Sequence, residues 1–535
     1  MKRGMIVAPQ PEAVEAGAEI FKAGGNAVDA AIACALVQGV VDPQMCGIAG
    51  FGSLHLYLPS KGKHLLIDCH GRVPASARPD MWAHLIEGEA RDGFGFFLKG
   101  KVNDIGYQAI ATPGSLKAYH EAHSEFGRLP WREIMQPAIA HAEAGFIVRP
   151  AVRAYWVEDD GIGRALVVDR LRFSASGRRI YFRPDGEPWQ VGARVKNPDM
   201  ARTLRRLAEE GAEDFYQGEI AREIAEDMTK NGGLITLDDL RNYKTRRTKP
   251  LWGLYRGHRI ATSQPPGGGV MLLEMMNMLE NFDLGGLGHN SDEYIRVVAE
   301  AMKRATSDKD RYVGDPDFVR VPLEQLTSKD YARSHAEAIR RGEKAKVERL
   351  EKKPEAADTT HISAIDAEGN AVSMTHTLGS PSGVITEGLG FMYNGAMAVF
   401  DPRPGRAGSL APGKSRFSSM CPSIVFKGEE PHLVIGAPGG THIVMGVLQA
   451  ILNVIDHGMS ILEAIAAPRF SATSDSIDVS NRIPAYTTRA LEAKGYQIVR
   501  SAKSYMFASV HGIRIDDGRW SGAADPGRDG MALEV

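Results

Sequence analysis

The stretch that most constrains this chain runs from Thr359 to Thr377. Ile362, Ala364 and Ile365 form one short half-apolar run, and Ala371, Val372 and Met374 form a second. Between them lies Asp366-Ala367-Glu368-Gly369-Asn370. Two such runs around a turn ending in Gly-Asn predict a β-hairpin. Its first strand opens with Thr359 and its second closes near Thr377, so antiparallel pairing returns both hydroxyls to one end of the sheet. That alone says little, because threonine at a strand end is usually there for its β-propensity. Residues 340–358, just upstream, are rich in Lys, Arg and Glu and hold little that could pack. They predict a solvated linker running straight into the hairpin.

Elsewhere helical and strand patterns are mixed. Helical periods cover residues 11–23, closed by Gly24-Gly25, and residues 27–40, which are almost wholly apolar. Strand patterns follow at 47–58 and 63–68, the second ending in Asp68-Cys69-His70-Gly71-Arg72. Further helices are expected at 131–142, at 197–228 with breaks at Gly211 and Gly218, at 270–279 and at 292–308. After Thr359 come strands at 423–426 and 433–435, then a helix at 443–455. Mixed elements with a β-rich C-terminal third predict an α/β or α+β protein with helices on a sheet core.

A chain of 535 residues, 43% hydrophobic, can bury a large core without disulfides. Its four cysteines stand far apart with no CxxC spacing, which argues against a zinc site and fits a reducing compartment. Net charge is −2, so no basic field points to nucleic acid or an anionic membrane. No apolar run approaches the roughly 18–20 residues of a membrane span. The first residues lack the apolar core of a secretory signal, so a cytoplasmic location is expected.

Six motifs, in order, carry a family resemblance: Gly24-Gly25-Asn26-Ala27-Val28-Asp29-Ala30-Ala31, Asn231-Gly232-Gly233-Leu234-Ile235-Thr236, Thr359-Thr360-His361 with Thr375-His376-Thr377, Ser418-Ser419-Met420, Gly436-Ala437-Pro438-Gly439-Gly440-Thr441 and Ala524-Asp525-Pro526. Together they resemble the γ-glutamyltransferase family of N-terminal-nucleophile hydrolases, over nearly the whole chain. The resemblance implies a four-layer αββα sandwich. It also implies a precursor that cuts itself between Asp358 and Thr359, into a large chain (1–358) and a small chain (359–535) interleaved in one folded body. Thr359 would then be the nucleophile, with its own freed α-amine as base. That amine has a reference pKa of about 7.7–8.0 and is appreciably neutral near pH 7. Thr377 matches the threonine that orients the nucleophile, and Gly439 and Gly440 match the pair whose N–H groups stabilise the oxyanion. Ser418 and Ser419 match serines that hold the donor's carboxylate. No cofactor is implied. His361 and His376 lack an acidic partner at ligand spacing, so no metal is expected.

The departures are equally informative. Where transpeptidases of the family place a basic residue for the α-carboxylate, this chain has His70, with Arg72 as a substitute two residues on. Gly379 stands where Asn or Glu is usual. Val399 stands where an acidic residue would hold the substrate's amino group, and Ala396 replaces another polar contact. Residues 401–417, a longer lid in some relatives, are short and rich in Pro and Gly, which suggests an open cleft. The leading expectation is therefore a self-processed N-terminal-threonine amidohydrolase or acyltransferase, acting on a small-molecule amide or peptide, in the chemistry of glutathione metabolism. One alternative is an oxamate or glutaryl (cephalosporin acylase) type without γ-glutamyl activity, and another is an unprocessed, silent ligand-binding protein. The large and small chains would be each other's partners, and a homodimer or higher assembly is left open.

Overall fold

Two antiparallel sheets lie face to face with helices on both outer surfaces. The computed structural model describes residues 3–158, 164–349 and 359–535. Numbering only the strands of the two large sheets, β1 is Gly4–Ala8, β2 Phe51–Leu58, β3 Lys63–Asp68, β4 Arg246–Thr248, β5 Leu251–Tyr255, β6 His258–Thr262 and β7 Thr360–Asp366. The remainder are β8 Ala371–Thr377, β9 Ser423–Lys427, β10 Glu430–Gly436, β11 His511–Asp516, β12 Arg519–Ala524 and β13 Met531–Glu534. The seven-stranded sheet runs β13-β1-β7-β8-β2-β3-β4, and the six-stranded sheet runs β12-β11-β10-β9-β6-β5.

Strand alternation explains the layering. Ile6 and Ala8 of β1, with Ile362 and Ala364 of β7, face a core shared with helices α1 (Pro11–Lys22) and α2 (Ala27–Val41). Met5, Val7 and Ile365 point the other way, against Ile424, Val434 and Ile513 of the second sheet. That sheet's outer face buries Val425, Leu433 and Ile435 under α3 (Gly269–Leu279), α4 (Asp292–Tyr312) and α5 (Ile443–Ile455). A sheet covered on both faces needs side chains buried on both, and every residue of β7 and β8 is buried. The expected αββα sandwich is what the chain forms.

The hairpin forms in the expected register. Thr360 pairs with His376 and Ile365 with Ala371, which leaves Thr359 and Thr377 facing each other at its open end. Its turn is tied to the first family-like motif, since the Ala27 N–H donates to Asp366 Oδ2 (2.9 Å) while Asn26 caps α2.

Two expectations need correction. Helix α4 runs on to Tyr312 rather than stopping near Asp308, because its last charged turn is absorbed in ion pairs: Lys309 with Asp310, and Asp310 with Arg349 (2.6 Å). Residues 343–349 are without helix or strand and mostly exposed, as a linker would be, but they are anchored rather than free. Val347 is buried, its N–H donates to Asp475 (2.8 Å), and Arg349 donates to the Thr473 carbonyl (2.8 Å). The remainder of that segment, with Asp358, lies outside the described residues.

Candidate active site

Thr359 sits just before β7 with its hydroxyl donating to Thr377 Oγ1 at 3.2 Å. Thr377 Oγ1 also accepts the Gly379 N–H (2.7 Å), and Arg528 donates to the Thr359 carbonyl (3.0 Å). Thr360, one residue on, points to the opposite face, where Gln38 of α2 donates to its hydroxyl (3.0 Å). Alternation along the strand therefore separates the two threonines, and Thr359 is the one that faces the cavity.

That cavity brings Thr359 and Thr377 together with His70, Ser418, Ser419 and Gly440. Gly440 opens a short turn, Gly440–His442, that leads directly into α5. Its N–H therefore lies at the positive end of a helix. Gly439 has φ 139°, and a Cβ there would lie 2.7 Å from Ala508 Cα, so only glycine fits without displacing backbone. Among the described residues, neither glycine's N–H has an acceptor.

His70 forms a chain rather than a free cation. Its Nδ1 lies 2.5 Å from Asp68 Oδ1 and its Nε2 2.6 Å from Ser418 Oγ. Burial works against a charged Asp68, yet the adjacent His70 ring and its hydrogen bonds hold this carboxyl below the usual range. A carboxylate can only accept, so Nδ1 carries a proton. Nε2 is in hydrogen-bond contact with the Ser418 hydroxyl. Arg72 does not reach the cavity. Its backbone pairs with Thr112 and Ser415, and its guanidinium donates to the Lys244 carbonyl (3.0 Å) beside the Tyr243 ring.

His361 and His376 lie on opposite faces of the sheet. His361 contacts Thr375 (2.8 Å) and Ser363 (3.1 Å), and His376 contacts Tyr119 (2.7 Å) and Gln38 (2.8 Å). They cannot share an ion, and burial pushes both down to about 3, so both are neutral. Among the described residues, Glu274, Asp308 and His335 form the one cluster with metal-like spacing. None of them lines the cavity, and burial pushes the Glu274 carboxyl well up.

Gly379, Ala396 and Val399 all line the cavity. Asp401 is held by Arg403 (2.7 and 2.8 Å), and Glu387 pairs with Arg179 at the surface (3.0 Å), so neither supplies a carboxylate there. Residues 401–417 are short, but their end, Arg416 and Phe417, folds into the cavity wall. Arg416 and Lys309 are cations that reading the sequence missed. The available signal was the position of Arg416, two residues before Ser418-Ser419.

The family model for gamma-glutamyltranspeptidase matches residues 13–535. The chain is 38% identical to the acylase ACY 1 proenzyme of Pseudomonas sp. (strain V22), covering 100% of this chain and 94% of that one. It is 35% identical to the glutathione hydrolase proenzyme of Escherichia coli (strain K12), covering 98% and 90%. Among solved structures, cephalosporin acylase from Bacillus halodurans superimposes with a TM-score of 0.88 at 30% identity, covering 99% of this chain and 96% of that one.

Proposed function

The chain belongs to the gamma-glutamyltranspeptidase family and is an amide hydrolase or acyltransferase of it, and on that premise we propose that Thr359 is the nucleophile of both self-processing and turnover. The observation that carries this reading is the Thr359 hydroxyl, 3.2 Å from Thr377 in the wall of a cavity that also exposes Gly440. In processing, Thr359 Oγ1 attacks the Asp358 carbonyl carbon and the peptide C–N bond breaks. Water then cleaves the resulting ester, leaving chains 1–358 and 359–535. The freed α-amine takes the hydroxyl proton, directly or through one water, as Oγ1 attacks the donor amide. Gly439 and Gly440 N–H groups meet the oxyanion, and the leaving amine departs with the proton. Water or an amine then receives the acyl group. Thr377, polarised by the Gly379 N–H, donates to Oγ1 as that oxygen loses its proton.

One observation favours a glutaryl-like donor over γ-glutamyl. Arg416 and Lys309 line the cavity, and no carboxylate does among the described residues. An ammonium buried there would lack a counter-charge, at a cost of several kcal/mol.

Intact mass and N-terminal sequencing of the purified protein test the assignment. A small chain starting at Thr359 is expected, with Thr359→Ala leaving the chain whole and inactive. A start at Thr360, or cleavage surviving in the alanine variant, would show that another residue is the nucleophile.

A further inference from the structure

Arg416 stands in the wall between this cavity and a neighbouring one bordered by Glu89, Asp310 and Asp401, and among the described residues its guanidinium forms no ion pair. Its Nε–H donates to the Val399 carbonyl (2.6 Å). Among the described residues neither Nη group has a hydrogen-bond partner, and no carboxylate lies within 4.0 Å. The nearby carboxylates are engaged elsewhere. Asp401 takes both oxygens to Arg403 (2.7 and 2.8 Å), and Asp310 serves Lys309 and Arg349 (2.6 Å). Glu89 stands 4.0 Å from Arg349. Lys309 has Asp310 beside it and the Phe417 ring beneath it at 5.4 Å, while Ser418 is occupied by His70. Burial draws Arg416 below the usual arginine range, against the pull of those more distant carboxylates. A half-buried guanidinium without a partner is costly, and an anionic ligand is its ordinary remedy.

Its position gives the ligand's chemistry. Arg416 is anchored to the backbone of Val399, the position where the family resemblance puts an acidic residue for a substrate amino group. At this end of the cavity the charge is therefore inverted. We infer that Arg416 is the receptor for the terminal carboxylate of the acyl group, which selects dicarboxylic acid half-amides. The planar fork of Arg416 offers the two parallel N–H donors such a group accepts. This rests on reading the cavity as the acyl pocket.

The test is calorimetric binding of glutarate and of pentanoate, which lacks the second carboxylate, to the processed protein and to Arg416→Gln and Arg416→Lys. The unaltered protein is expected to prefer glutarate by about tenfold to a hundredfold, the effect of one charged hydrogen-bonding contact. Arg416→Gln should erase the preference, and Arg416→Lys should restore part of it. An unaltered protein without preference overturns the inference whether or not the variants fold, and so does an Arg416→Gln protein that keeps it. Hydrolysis of glutaryl-p-nitroanilide is measured alongside. Turnover with an Arg416-independent preference leaves the acyl-enzyme reading standing and removes this one. Arg416-dependent binding without turnover does the reverse.

Discussion

Replacing Thr377 by valine removes one oxygen and keeps the side chain's shape. That oxygen accepts both the Thr359 hydroxyl (3.2 Å) and the Gly379 N–H (2.7 Å), in a site where Thr377 is only 3% exposed. Two separable effects follow. A buried N–H left without an acceptor costs about 1–3 kcal/mol of stability, seen as a lower urea midpoint at unchanged slope. In the reaction, the Thr377 contact strengthens as Thr359 Oγ1 sheds its proton. Its loss then resembles that of a charge-assisted bond, about 1.5–3 kcal/mol, or roughly ten- to 150-fold in kcat. Self-processing uses the same hydroxyl and should slow with it. The assay is kcat on glutaryl-p-nitroanilide, with the rate of small-chain appearance by denaturing gel. Thr377→Ser, which restores the oxygen, should recover most of both. A valine variant that processes normally and keeps kcat within about threefold would refute this role for Thr377.

Three further outcomes are expected. Gly439→Ala should cost stability as well as turnover, about 1–3 kcal/mol, because its Cβ would meet the Ala508 backbone at 2.7 Å. Normal urea stability in that variant would mean the loop gives way more easily than its packing implies. Glutaryl-p-nitroanilide should exceed its γ-glutamyl counterpart in kcat/KM by roughly ten- to a hundredfold, the value of one charged contact, and the reverse preference would make this an ordinary γ-glutamyltransferase. Finally, His55, His361 and His376 are buried and held neutral, each at about 3 in the folded state. Below an unfolded-state value of about 6.5 only the unfolded chain binds these protons, so stability falls as pH drops from 6.5 toward 3. The loss is roughly 2 kcal/mol per histidine at pH 5. Urea unfolding at pH 7.5 and 5 measures it, and a flat profile would contradict it.

The hairpin, its register and most helices were legible in the sequence, because turn chemistry and side-chain period act over a few residues. Asp366 to Asn370 and the alternation around it place Thr359 against Thr377 without help from any tertiary contact. Helix α5 and the breaks at Gly211 and Gly218 were equally local. The four layers came from the family resemblance, since alternation says that a strand has two faces but not what covers each. The acyl pocket's charges were decided only by the tertiary structure. Asp68, His70 and Ser418 form one hydrogen-bonded chain in which His70 and Ser418 stand 348 positions apart in sequence, and Arg72, two residues from His70, is turned away by pairing with Thr112 and Ser415. Residues 343–349 look like a linker by composition, yet the Ala345 and Val347 N–H groups donate to Glu300 and Asp475, and Arg349 pairs with Asp310 on α4. Whether a loop cation is solvated, paired or left facing a substrate depends on which distant groups surround it. Here packing pairs Arg349 with Asp310 and Arg403 with Asp401, and among the described residues it leaves Arg416 without a carboxylate partner.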